Sequence, residues 1–153
     1  MDRITTALAL IAAIVAAPTA ADTRPSSSLD GTLPVTFEVV GLDGRAGVVL
    51  CSIFADDRGW PDDDDRALAR QVVPVRGDRA RCSFDVPPGR YAGAVVHDVN
   101  RNHRMDTNLV GIPREGFGFT AGATISTFGA PDFEEARFVV ERPTTERIVA
   151  DYM

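Results

Sequence analysis

Between His97 and Phe119 the chain reads HDVNRNHRMDTNLVGIPREGFGF, the stretch richest in groups that could do chemistry. Asp98, Asn100, Asn102, Asp106 and Asn108 recur at even spacing. Oxygen-bearing side chains at positions 1, 3, 5 and 9 are what a calcium loop uses, and the backbone carbonyl of position 7 adds a further ligand. Counting from Asp98, the ligand set is Asp98, Asn100, Asn102, Arg104 (through its carbonyl) and Asp106, with Met105 at the apolar position 8. Two positions depart from the template. His103 stands where a sharp turn prefers Gly, and Leu109 stands where a bidentate Glu belongs. Two carboxylates and amide oxygens predict weak binding unless Glu115 folds back to help. A loop whose Asp and Asn side chains bond their own backbone in successive Asx-turns explains the same composition without a metal. Both readings stay open at this level, and calcium is the one cofactor the stretch suggests.

Other chemistry finds less footing. The only histidines are His97 and His103, too few for a zinc site without carboxylate help. No nucleophile elbow, phosphate loop or dinucleotide fingerprint occurs. A hydrolase built on His97, Asp98 and Glu115 is the enzymatic alternative, and the balance leans away from catalysis. The Asp62–Asp65 run beside Trp60 reads as a solvated, self-repelling loop. Trp60, Phe117 and Phe119 could instead form a stacking platform for a glycan or peptide. For the Gly-rich segment that carries the two Phe residues, packing over the domain is the expected use.

The elements that must position these groups are strands. Val35, Phe37 and Val39 alternate with polar neighbours, as do Ala80, Cys82, Phe84 and Val86. Val48–Ala55 and Tyr91–Val96 are near-continuous apolar runs, which suit strands covered on both faces. Val72–Val75 is interrupted by Pro74 and so reads as an edge. Ala136–Val140 and Ile148–Tyr152 complete about seven strands, joined by turns such as Gly41–Gly44 and Pro87–Gly89. The pattern predicts an all-β fold, a small antiparallel β-sandwich spanning residues 33–153. Helical signal is confined to one turn after Asp62–Asp65. Cys51 and Cys82 both fall on predicted core positions, so a disulfide is expected rather than a reactive thiol.

Residues 1–21 carry the apolar run Ile4–Ala17, then Pro18 and a small-residue cleavage site ending at Ala21. That layout predicts a signal peptide and hence a periplasmic or secreted product, with residues 22–32 as a flexible leader. About 14 apolar residues fall short of the ~20 that span a bilayer, so no membrane span is expected in the mature chain. The whole chain has 153 residues, a net charge of −6 and 16 basic residues, all of them Arg. An acidic chain without a basic cluster is a poor nucleic-acid binder. A small molecule, a glycan or an envelope protein is the expected kind of partner.

Several segments in order carry a resemblance. They are Pro87–Ala92 (Pro-Pro-Gly-x-Tyr-Ala), the His97-Asp98-x-Asn100-x-Asn102 run, Gly111-Ile112-Pro113-x-Glu115-Gly116-Phe117-Gly118-Phe119, and Phe128–Ala136. Together they resemble a bacterial secreted-protein family catalogued as domain of unknown function 2141, over about Leu33–Tyr152. His103 and Arg104 depart from the Gly-Lys pair expected in its loop. The resemblance implies an exported transthyretin-like or Cna-B-like sandwich, prealbumin-like or immunoglobulin-like in type, and brings no catalytic residues. The enzyme such a fold would suggest, a hydroxyisourate hydrolase, is expected to carry Tyr-Arg-Gly-Ser where this sequence reads Asp151-Tyr152-Met153.

Overall fold

A computed structural model describes residues 31–42, 46–126 and 129–153. The expected signal peptide and most of the leader lie outside the described residues, as does part of the Gly41–Gly44 turn. Eight strands run β1 (Leu33–Val40), β2 (Val48–Phe54), β3 (Ala69–Pro74), β4 (Arg79–Val86), β5 (Gly89–Asp98), β6 (Gly116–Phe119), β7 (Arg137–Val140) and β8 (Thr144–Val149). They form a three-stranded sheet, β4-β1-β8, and a five-stranded sheet, β3-β2-β5-β6, in which β7 also pairs with β5. The fold is the small β-sandwich that the alternation predicts. The helical turn expected after Asp62–Asp65 falls instead within that run, as a 3-10 turn at Asp64–Arg66 capped by the side chain of Asp63, and a second 3-10 turn, Thr120–Gly122, follows β6.

Three features depart from the sequence reading. The last strand is Thr144–Val149 where Ile148–Tyr152 is expected, with only an isolated Asp151–Phe117 bridge beyond it. β1 and β8 pair in parallel, so the smaller sheet is mixed. β6, Gly116–Phe119, is additional to the seven expected strands and has no β-branched residue to announce it. Its glycines are there because the C-terminal segment crosses closely. A Cβ on Gly116 would lie 2.5 Å from the Tyr152 ring, and one on Gly118 would lie 2.5 Å from Ile148 Cγ2. Only Gly permits that approach.

Alternation sorts each strand into two faces. Val35, Phe37 and Val39 of β1 and Ala80, Cys82, Phe84 and Val86 of β4 point between the sheets, where Val49, Cys51, Ile53 and Val95 meet them. Phe37 sits at the centre, edge-on to Phe84 and Phe138 at centroid distances of 5.2 and 6.1 Å. Each such fully buried side chain contributes about 1.5–3 kcal/mol. The opposite face of the larger sheet is also covered. Phe54, Ala92, Ala94, Phe117 and Phe119 pack there with Phe133 and Ala136. This is why β2 and β5 read as continuous apolar runs.

Both open sides of the sandwich are closed by polar contacts, which blunt the strand edges. On one side Ser83 N donates to the Gln71 side chain at 2.7 Å, linking β4 to β3. On the other, Phe117 and Asp151 exchange backbone hydrogen bonds of 3.0 and 2.8 Å, joining the continuation of β8 to β6.

The expected disulfide is present. Cys51 of β2 and Cys82 of β4 join the two sheets, with a Cα–Cα distance of 6.5 Å across 31 residues of sequence. Closing a loop of that length constrains the unfolded chain by about 3.5 kcal/mol in the chain-entropy model. Replacing both residues, Cys51→Ala with Cys82→Ala, should therefore lower the unfolding free energy in urea by roughly 3 kcal/mol. A loss under about 1 kcal/mol would show that the link does little beyond packing.

Candidate functional site

β5 and β6 are a hairpin whose stem ends at the His97–Gly116 pair and whose connection is the polar loop Asp98–Glu115. Tyr152 holds both sides of that stem. Its ring packs where a Gly116 side chain would be, and its hydroxyl lies 2.6 Å from His97 Nδ1. His97 is 1% exposed, and its Nε2 lies 3.2 Å from the carbonyl of Ala46. A carbonyl only accepts, so Nε2 carries a proton and donates to Ala46, while Nδ1 shares its hydrogen bond with the Tyr152 hydroxyl. The imidazole is an anchor for the loop.

Inside the loop, buried carboxylates are satisfied by backbone N–H groups. Asp98 is 0% exposed, and its two oxygens accept from Asn102 N at 3.1 Å and His103 N at 2.8 Å. Glu115 is 6% exposed and does fold back. It accepts from Val99 N and Asp106 N, both at 3.2 Å. Asp106 accepts from the amide groups of Asn100 (2.7 Å) and Asn102 (2.9 Å). Asx-turn bonds run from Asn102 N to the Asn100 oxygen, from Arg104 N to the Asn102 oxygen and from Val110 N to the Asn108 oxygen. Arg101 and His103 take left-handed backbone, φ 62 and 64, so His103 makes the turn for which Gly would be the easier residue. Beyond Asp106 a small inner hairpin, pinned by the Thr107–Pro113 bridge, leaves Leu109 fully and Val110 largely exposed.

The electrostatics are one-sided. Among the described residues no arginine ion-pairs with Asp98, Asp106 or Glu115. Burial pushes the Glu115 carboxyl above its ordinary value, and the charges of Asp98 and Asp106 push the same way. The N–H groups of Asp106 and Val99 oppose them. Asn100, Asp106, Arg114 and Glu115 also line an open cleft of about 520 Å³.

The chemistry of this donor set admits a cation within limits. An ionised carboxylate has about four acceptor positions, and each of these three uses two of them on N–H groups. Among the described residues no three His, Cys, Asp or Glu side chains gather at one point as a metal cluster. A calcium ion here would rest on at most two carboxylates, with the Asn100 and Asn102 oxygens and the Arg104 carbonyl completing the set.

The other candidates separate. His97 and Asp98 are consecutive on β5, so they face opposite sides of the sheet, and His97, Asp98 and Glu115 do not converge as a hydrolase would need. Trp60, Phe117 and Phe119 do come together, but as packing. Trp60 meets Phe54, Phe119 and Phe133 at centroid distances of 5.4, 5.8 and 6.0 Å, and its indole N–H donates to the Pro131 carbonyl at 2.8 Å. Phe117 and Phe119 are buried. The rings stack on one another, Trp60 giving no free-standing platform, while the narrow exposed edges of Phe117 and Phe119 line a groove on the outer face of the sheet. Sequence reading overlooked Tyr152 and Ala46 as the partners of His97. It also overlooked the outward row Leu50, Ser52, Ala94 and Val96, which the period-two pattern of β2 and β5 carried all along.

Glu115 gives a pH signature. Its folded-state value lies above the unfolded one, so protonation favours the folded state as pH falls through the raised value toward the ordinary 4.5. Glu115→Gln cannot titrate. In a chelator, the melting temperature of wild type minus that of Glu115→Gln should therefore increase as pH is lowered from neutral to about 4.5. A difference that stays constant with pH would overturn the assignment.

No helix among the described residues is long and apolar enough to cross a membrane. Neither a curated protein nor a solved structure matches the chain. A family model does match, over residues 37–148, which takes in β2 to β7, the second half of β1, nearly all of β8, the disulfide and the whole polar loop. The chain belongs to the bacterial family described as "Uncharacterized protein conserved in bacteria (DUF2141)".

Proposed function

We propose that this chain works outside the cytoplasm as a non-catalytic binding module whose Asp98–Glu115 loop takes a calcium ion. One observation carries the reading. Asp98 and Glu115 are buried carboxylates, close to Asp106, with no arginine to neutralise them among the described residues. Burying unpaired charge costs several kcal/mol per ion unless something compensates. Backbone N–H groups supply part of that compensation, and a divalent cation drawing on the unused lone pairs would supply more. The even spacing of Asp98, Asn100, Asn102 and Asp106, and the turn at His103, match how calcium loops are wound. Affinity in the range of about 10⁻⁴–10⁻³ M, usual for extracellular modules, suits so few carboxylates.

Export is supported by the apolar run ending in a small-residue cleavage site and by the Cys51–Cys82 disulfide, since such bonds persist in oxidising compartments. A non-catalytic role is supported by the engagement of both His97 nitrogens.

Calcium at about ten times its dissociation constant should stabilise the fold by about 1.4 kcal/mol, or roughly 4–6 °C in melting temperature. Asp106→Asn, at a half-buried position, should keep the melt in chelator within a few degrees and lose most of the calcium shift. A melting temperature that does not change between chelator and about 10 mM calcium, ten times the weakest affinity expected, would remove the metal from the account. For export, fractionation of cells expressing the full chain should recover the protein from the periplasm or medium with Asp22 at its N-terminus. Recovery only from the cytoplasm, uncleaved, would overturn that part.

A further inference from the structure

A second concavity lies apart from Asp98, Asp106 and Glu115, on the outer face of the five-stranded sheet, and measures about 680 Å³. That volume is typical of ligand sites. Its floor follows from strand register. Leu50, Val96 and Phe117 are direct cross-strand partners, and so are Ser52, Ala94 and Phe119 one row along. Side chains opposite one another share a face, so five apolar groups and one hydroxyl make a floor two rows deep.

The two ends differ in charge. Beyond the Ser52 row stand Asp62 and Asp64 of the β2–β3 connection. Asp64 is engaged, accepting from Ser52 Oγ at 2.7 Å and lying 3.4 Å from Arg70. Asp62 makes no ion pair among the described residues. The Leu50–Val96–Phe117 row leads toward Asp98, where the polar loop folds over and lines the groove with His103 and Arg104. Arg104 is exposed and likewise makes no ion pair among the described residues. An apolar floor thus runs from a carboxylate to a guanidinium, neither of them ion-paired among the described residues.

We propose that this groove binds a short peptide in extended form, its free amino terminus at Asp62 and its carboxylate at Arg104. An extended backbone turns alternate side chains to one side, so apolar residues at every second position would meet the floor. Four residues at about 3.3 Å each span roughly 10 Å between the first and last Cα, a length that covers both rows and reaches past them. The charge order favours this occupant over a single-tailed fatty acid. Such a ligand uses only the cationic end and would bring its apolar tail to Asp62, Asp64 and Ser52. The inference rests on the chain being a binding module and not on calcium.

The test is a calorimetric titration of the full mature protein with the tetrapeptide Leu-Ser-Leu-Ala, repeated in calcium and in chelator. Saturable one-site binding is expected. N-acetylating the peptide should weaken it roughly two- to fivefold, the size of an exposed ion pair, and C-terminal amidation should do the same. Asp62→Asn should weaken the free peptide but not the N-acetylated one. Arg104→Gln should weaken the free acid but not the amide. Val96→Asp, which places a charge on the floor, should abolish binding of every form while the melting temperature reports whether the fold is intact.

Binding in both calcium and chelator supports the groove whatever the melts say of the metal. Binding only in calcium supports the groove and ties it to the loop that walls it. No saturable binding in either condition overturns the proposal. So does an equal loss for free and blocked peptides, or saturable binding of laurate that depends on Arg104 but not on Asp62.

Discussion

Strand β5 is buried on both faces, and that constraint organises the rest of the molecule. Its odd-numbered residues Tyr91, Val95 and His97 point between the sheets, while Ala92, Ala94, Val96 and Asp98 point outward. The strand pairs with β2 along one side. Along the other it pairs with β7 over its first half and β6 over its second. Gly93 falls at the junction, where Phe37 approaches too closely for any side chain, and its N–H bonds to Thr120 Oγ1 at 2.8 Å. Thr120 in turn donates to the Ala136 carbonyl at 2.6 Å, so one buried hydroxyl joins β5 to the segment leading into β7. A buried N–H left without an acceptor would cost about 1–3 kcal/mol, which explains a polar side chain at that depth.

The polar loop inherits its geometry from this strand. β5 ends by delivering His97 inward and Asp98 outward, one to be fastened by Tyr152 and the other to gather the N–H groups of Asn102 and His103. Glu115 performs the matching task from the far end, bonding Val99 and Asp106. The loop is therefore ordered from its stem outward by two buried carboxylates. The tension within it is electrostatic. Hydrogen bonds satisfy the oxygens as acceptors, yet three negative charges remain near one another in a poorly solvated place. The loop also has two working sides. Its inner side holds the carboxylates, and its outer side, through His103 and Arg104, walls the groove over the sheet. A change in one side would be felt at the other, because they share the backbone between Asp98 and Asp106.

Much of the architecture was legible from local pattern. Clean alternation marked β1 and β4, and their inward residues are those that meet in the core. The apolar runs marked β2 and β5 as doubly covered, and Pro74 marked β3 as an edge. Cys51 and Cys82 could be paired because both fell on inward positions of such strands. β6 was not legible, since Gly116 and Gly118 are dictated by Tyr152 and Ile148, more than thirty and about thirty residues away in the chain. The parallel β1–β8 pairing was equally hidden, because alternation reports which face a residue takes and says nothing of which neighbour lies beside it.

The sequence by itself determined the β class, the inward sets, the cysteine link and the presence of an oxygen-rich loop. The strand sets and the loop rest on contacts within a strand or a few residues, and the cysteine pairing follows from two such inward sets although the bond itself spans 31 residues of sequence. Only the tertiary structure decided that His97 is an anchor, that Glu115 returns to Val99 and Asp106, and that Trp60, Phe117 and Phe119 serve each other. It also decided that Asp62 and Arg104 stand at opposite ends of one apolar floor. Each of those facts depends on which distant segments are brought together, and burial and charge act through space without regard to chain order.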